Sequence, residues 1–183
     1  RSVSRGLGDV YKRQAYSLML LIGNVGSGKT TFIRYFKRKF LEENHPNLAR
    51  KCDWIFLNMN AAPITNSEIY DWIKQEIITQ LKTNHHYIDF SSIDIIKSVF
   101  RKEVHEFENG LGQLIKSDEK EYNLKLYEIL SSKMSDNTSL LRHMLRYFKE
   151  IEGSLPIIVL DNCDKRNKEE PQRVKRIKSY SLT

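Results

Sequence analysis

One eight-residue segment limits this chain more than any other. Gly23-Asn-Val-Gly-Ser-Gly-Lys-Thr30 follows directly on the apolar run Ser17-Leu-Met-Leu-Leu-Ile22. It meets the pattern G-x-x-x-x-G-K-[ST] in full, and each residue type has a physical reason. Gly23, Gly26 and Gly28 let the backbone curl, so that the N–H groups of Asn24, Val25 and Ser27 and their neighbours turn inward toward phosphate oxygens. The helix that opens here adds unpaired N–H groups and the positive end of its dipole. Lys29 reaches the β- and γ-phosphates, the Thr30 hydroxyl suits a Mg²⁺ ion, and Thr31 is placed for the α-phosphate. Such a loop needs a strand before it and a helix after it. The fold is therefore α/β, with the loop at the carboxyl end of a strand.

The rest of the body alternates in the same way. Ser17–Ile22 is a continuous apolar run and predicts a strand buried on both faces. A helix is expected from about Lys29 to Glu43, with Ile33, Phe36 and Phe40 on one side, stopped by Asn44-His-Pro46. Trp54-Ile-Phe-Leu-Asn58 reads as a second strand. Thr65-Asn-Ser-Glu68 has the form of a capping box. It opens a helix carrying Ile69, Ile73, Ile77 and Leu81. A third helix carries Ile96, Phe100, Val104 and Phe107 and ends at Asn109-Gly110. Tyr122, Leu126, Ile129 and Leu130 mark a fourth. Leu140, Leu141, Met144, Leu145, Phe148 and Ile151 mark a fifth, closed by Gly153. Pro156-Ile-Ile-Val-Leu-Asp161 is a last apolar strand ending in an acid. The order β-α-β-(α)4-β predicts a parallel sheet with right-handed crossovers and a helical insertion over about 66–152.

Asp161 is the second candidate. On a strand beside the loop strand it would lie near Thr30 and hold the Mg²⁺ through a water. Asp164, three residues on, is a candidate to polarise an attacking water, or else a turn or helix-cap acid. Lys29, Asp161 and Asp164 form the expected catalytic set, with Thr30 and Asp161 as metal ligands. The histidines, His45, His85, His86, His105 and His143, show no metal spacing, and Trp54 and Trp72 read as packing residues.

Taken together, Gly23–Thr30 and Leu-Asp161-Asn-Cys-Asp164 resemble the ATPase core of the STAND class of P-loop NTPases. That class includes the NACHT proteins and is a relative of AAA+ ATPases; KAP-type P-loop ATPases end their second motif in a similar Asp-x-x-Asp. The resemblance spans about residues 17–164 and rests on these two motifs. It implies a three-layer P-loop fold, ATP and Mg²⁺ as ligands, and a nucleotide-driven conformational switch. Self-association or downstream sensor and effector domains are its implied partners, in signalling, defence or DNA maintenance. Many AAA+ proteins place a catalytic Glu directly after the Asp, where this chain has Asn162, so slow hydrolysis is expected. In this division another strand, following the Asp strand in sequence, lies between it and the loop strand. No apolar run follows Asp161, so a gap is expected there, and the chain reads as a piece of a longer protein. ATP is favoured over GTP because Asn167-Lys-Glu-Glu170 lacks the Asp of a guanine-binding Asn-Lys-x-Asp. A small-molecule kinase shares the loop and is the alternative from a different mechanistic class.

The two ends read differently from the body. The net charge is +7, of which residues 1–14 carry +3 and residues 165–183 carry +5, leaving −1 for the 150 residues between. A basic footprint over the folded body, as nucleic-acid binding requires, is therefore not expected. Ser4-Arg-Gly-Leu-Gly-Asp-Val-Tyr-Lys-Arg-Gln14 reads like the translation of a transposon-end sequencing adaptor, so residues 1–14 are expected to be a non-native arm. The absence of an initiator Met fits a truncated reading frame. Residues 165–183 are expected to be a basic tail, and residues 15–164 a partial P-loop ATPase domain. Two widely separated cysteines, Cys52 and Cys163, read as reduced thiols of a cytoplasmic protein. The longest apolar run, Leu18–Ile22, is too short to span a membrane.

Overall fold

Cys52–Asn58 forms β1, and its residues alternate between half-buried and buried positions until the exposed Asn58. Asp53, Ile55 and Leu57 turn toward a layer of helices, while Cys52, Trp54 and Phe56 face the other way. β1 pairs in parallel with β2, Leu155–Asp161, in a register that runs from Cys52↔Leu155 to Asn58↔Asp161. The two strands thus end level, with Asn58 beside Asp161. In this computed structural model the described residues are 19, 21–24 and 26–163, and among them these two strands make up the sheet.

The loop leads into α1, Lys29–Tyr35, which widens into a π-helical stretch over Phe36–Glu42. Pro46 then opens a short α2, Pro46–Ala49, before β1. The connection from β1 to β2 is the expected helical insertion. It begins with a 3₁₀ turn over Met59–Ala61. α3 follows over Asn66–Asn84 and α4 over Ile93–Val99. α5 spans Arg101–Asn109 and α6 spans Leu111–Ile115. α7 is Glu119–Ser135 and α8 is Asn137–Glu150. Asp118 and Asp136 cap α7 and α8, accepting hydrogen bonds from Lys120 N and Glu121 N and from Thr138 N respectively. Ile55 and Leu57 of β1 form one core with Ile77, Ile78 and Leu81 of α3, Phe100, Leu130 of α7, and Met144 and Phe148 of α8. Burial of that apolar surface is what holds the crossover onto the sheet.

The outer edge of β1 is sealed by side chains of α3. Ladder alternation points the backbone groups of Trp54 and Phe56 away from β2. Gln80 meets both polar groups of Phe56 with its amide: Phe56 N donates to Gln80 Oε1 at 3.0 Å, and Gln80 Nε2 donates to Phe56 O at 2.9 Å. Asn84 Nδ2 donates to Asp53 Oδ1 at 2.8 Å and to Trp54 O at 3.3 Å.

The helical layer also contains two acid–histidine pairs that the sequence reading treated as unrelated residues. His85 Nε2 lies 2.8 Å from Asp53 Oδ2, and its Nδ1 lies 2.8 Å from the Tyr87 hydroxyl. Buried His143 joins α8 to α5, with Nε2 2.6 Å from Glu103 Oε1 and Nδ1 2.7 Å from Ser139 O. Arg146 Nη2 stands 3.9 Å from Glu103 Oε2.

Four local expectations are corrected. Met19, Leu21 and Ile22 are exposed and in no regular structure, not in a strand buried on both faces. Double-sided burial needs neighbours on both edges and helices on both faces, and the described sheet supplies none to these residues. Phe36 and Phe40 are exposed and stack on each other, with ring centroids 5.1 Å apart, for the same lack of a covering layer. α3 does start after Thr65, but the Thr65 side chain accepts no capping hydrogen bond. The expected third helix breaks at Phe100 (φ −99°, ψ 31°) into α4 and α5, which lets the ring sit against His143 at 4.8 Å. The segments 1–14 and 165–183 lie outside the described residues.

Glu103 should make the fold acid-sensitive. Burial pushes its carboxyl up, but its own backbone N–H, the hydrogen bond and charge of His143, and Arg146 outweigh that and hold it below its usual 4.5. A lowered folded-state value gives stability that is present above the unfolded value and lost as pH falls through the folded one. Urea midpoints measured from about pH 6 down to about pH 3 should therefore fall more steeply for the wild type than for Glu103→Gln. Parallel profiles would show that the pair contributes no such linkage.

Candidate functional site

The loop is bent by two residues in the left-handed region, Gly26 at φ 81° and Gly28 at φ 83°. A Cβ at either would meet nothing within 4 Å, so these positions need glycine for conformation and not for space. Ser27 N donates to Asn24 O at 3.1 Å and closes the turn. Gly28 is the N-cap of α1, and Phe32 N donates to Gly28 O at 2.8 Å. Gly23 differs: a Cβ there would lie 2.6 Å from Ser27 Oγ. Lys29 extends back over the loop, its Nζ donating to Gly23 O at 2.6 Å and Asn24 O at 3.0 Å. Those carbonyls hold the ammonium at the mouth of the loop. Thr31 is exposed on the first turn, and Val25 lies outside the described residues.

The two motifs meet directly. Thr30 Oγ1 lies 3.0 Å from Asp161 Oδ1 and 2.8 Å from Asp161 Oδ2. The sequence reading expected Asp161 near Thr30, and the first turn of α1 indeed sits against the carboxyl end of β2. Among the described residues the sheet consists of β1 and β2, with no strand between β2 and the loop. Asp161 Oδ1 also accepts from Asn162 N at 2.8 Å. This puts an exposed loop, a lysine, a hydroxyl and a carboxylate outside the carboxyl ends of two parallel strands, where ligands of open α/β sheets bind. Asp164 lies outside the described residues.

Asn58 belongs to the same cluster and was missed. Its Oδ1 accepts from Asn162 Nδ2 at 2.9 Å and from Asn60 N at 3.2 Å. The available signal was positional: a polar residue closes β1 just as Asp161 closes β2.

A glycine-bent loop leading a helix, whose first-turn hydroxyl is bonded to the acid that ends a strand, is the arrangement of the P-loop nucleotide-binding proteins. Within that class the chain belongs to the AAA domain family, whose sequence pattern matches residues 12–179. No curated protein and no solved structure matches it.

The loop geometry predicts a ranking of glycine substitutions. Gly28→Ala should weaken nucleotide binding by about 5- to 30-fold, the cost of about 1–2 kcal/mol for a non-glycine residue in the left-handed region. Gly23→Ala should cost less, because Ser27 Oγ can rotate away from the added methyl. Titration of both variants with a fluorescent nucleotide checks the order, and the reverse order would mean that space, not backbone conformation, limits the loop.

Proposed function

We propose that the chain is a Mg-ATP-binding P-loop module that acts as a nucleotide-driven conformational switch in a larger signalling or defence protein, of the STAND kind with its NACHT members. The observation that carries this reading is the contact of Thr30 with Asp161. It gives one hydroxyl and one carboxylate, both hard oxygen donors, on different elements and within hydrogen-bond reach of each other. That donor set suits Mg²⁺, which favours a few oxygen ligands together with phosphates. Thr30 and Asp161 would hold the ion, which when bound neutralises charge on the phosphate oxygens. The loop N–H groups from Asn24 to Lys29 bind phosphate oxygens, and Lys29 exchanges its two backbone carbonyls for the β- and γ-phosphates.

The chemistry at the neighbouring position supports a switch more than a fast hydrolase. Asn162 has no basic group to orient and deprotonate a water, so nucleotide stays bound longer than it would beside a glutamate. Asp164 is the candidate for polarising the water. Asp161 links α1 to β2, so an ion entering between Thr30 and Asp161 changes a contact between two elements, as a switch requires. Further copies of the chain or sensor and effector domains are the partners in this reading. Among the described residues no helix is long and apolar enough to cross a membrane.

Titration of the purified chain with labelled ATP and GTP tests the reading. Mg-ATP should bind in preference to GTP. Lys29→Ala should weaken ATP binding by about 10-fold or more, since it removes a charge-assisted contact worth about 1.5–3 kcal/mol. Equal binding by wild type and variant would sink the proposal.

A further inference from the structure

We infer that Asn58 is a positioning residue, which orients the Asp161 carboxylate toward Thr30 by holding Asn162 in a left-handed turn; this rests on the nucleotide reading above and adds a residue to that site. The path can be followed atom by atom. Asn58 ends β1 in register with Asp161. Asn162 Nδ2 donates to Asn58 Oδ1 at 2.9 Å, across two strands. Asn162 has φ 63°, the only positive φ at a non-glycine position among the described residues. In that conformation its backbone N–H turns back and donates to Asp161 Oδ1 at 2.8 Å. The same oxygen faces Thr30 Oγ1 at 3.0 Å.

Each link has a physical reason. The left-handed region is disfavoured for residues with a Cβ, and asparagine enters it when its short amide finds a local partner. Asn58 Oδ1 is that partner. Without it, Asn162 is released toward ordinary negative φ, and its N–H swings off the Asp161 carboxylate. The carboxylate then loses one of the two groups that fix its rotation, and a metal-holding oxygen loses its aim. The cost appears as weaker use of the metal and not as loss of the fold, because Asn58 is exposed at a strand end.

Asn58 has a second bond that could account for it without any role in the site. Its Oδ1 accepts from Asn60 N at 3.2 Å and so caps the 3₁₀ turn over Met59–Ala61. Two substitutions separate the roles. Asn58→Ser keeps an acceptor for the turn but is too short to reach Asn162. Asn58→Asp keeps an oxygen at both positions.

The experiment uses the full chain, with amide hydrogen exchange of Asn162 followed by NMR without ligand. Fluorescent ATP is also titrated in Mg²⁺ and in EDTA. In Asn58→Ser the Asn162 amide should exchange about two- to tenfold faster, as the loss of one net hydrogen bond implies. The gain in ATP affinity from Mg²⁺ should shrink by a similar factor, with affinity in EDTA unchanged. Asn58→Asp should restore the wild-type exchange rate. Wild-type exchange and a full Mg²⁺ gain in Asn58→Ser would overturn the inference and leave Asn58 as a turn cap. Loss of affinity in EDTA to the same extent as in Mg²⁺ would also overturn it, since the defect would then lie in the loop. If the wild type binds no ATP in either buffer, the nucleotide reading fails. The exchange rates alone then decide whether Asn58 holds Asn162.

Discussion

The register between β1 and β2 governs everything at the carboxyl end of the sheet. Asn58 stands opposite Asp161 because the ladder starts at Cys52↔Leu155. A slip of one residue would turn every side chain of a strand to the other face. Ile55 and Leu57 would leave the helical core, and Asp161 would point away from α1. The apolar pattern of β1 therefore does two things at once. It fixes which face is buried, and through the register it fixes which polar residues meet at the strand ends. The alignment of Thr30 with Asp161 is thus inherited from packing some distance below it.

How much of this was legible in the sequence follows from how local each signal is. The loop could be read in full, because glycine spacing, lysine and threonine are fixed by the chemistry of phosphate within eight residues. The helical insertion was legible from apolar spacing, and the cores of α3, α7 and α8 contain the residues that spacing picked out, among them Ile77, Leu81, Leu126, Leu130, Met144 and Phe148. Other features were not legible because they depend on partners far along the chain. Asn58 means little until Asn162 is seen 104 positions away beside it. The break at Phe100 needs His143, and Glu103 needs the same histidine from another helix. The exposed Leu21, Ile22, Phe36 and Phe40 show the limit from the other side. Apolar character predicts that a segment seeks cover, not that a covering layer is there.

The helical crossover is also more polar inside than its apolar stripes suggest. His143, bonded to Glu103, lies against Phe100, and His85 packs tilted against Phe148 with centroids 4.3 Å apart while holding Asp53. Buried pairs of this kind stabilise little by net charge attraction, because desolvation offsets it. They do penalise alternative packings in which one partner is left alone. Asp53 comes from β1, so its pairing with His85 and Asn84 also ties the crossover to the strand that sets the register.

The side-chain seal on β1 makes the two edges of the sheet inequivalent. Gln80 occupies both outward backbone groups of Phe56, and Asn84 the carbonyl of Trp54. On β2 the outward positions are Pro156, which has no N–H to offer, and then Ile158 and Leu160, both exposed. The two edges therefore differ in kind: amide side chains of α3 line the edge of β1, whereas the edge of β2 starts at Pro156 and meets the Cys163 thiol at Leu160 O, 3.7 Å away. The edge of β2 runs up to Asp161, so the carboxylate adjoins whatever lies along it, while the lined edge of β1 lies one strand away.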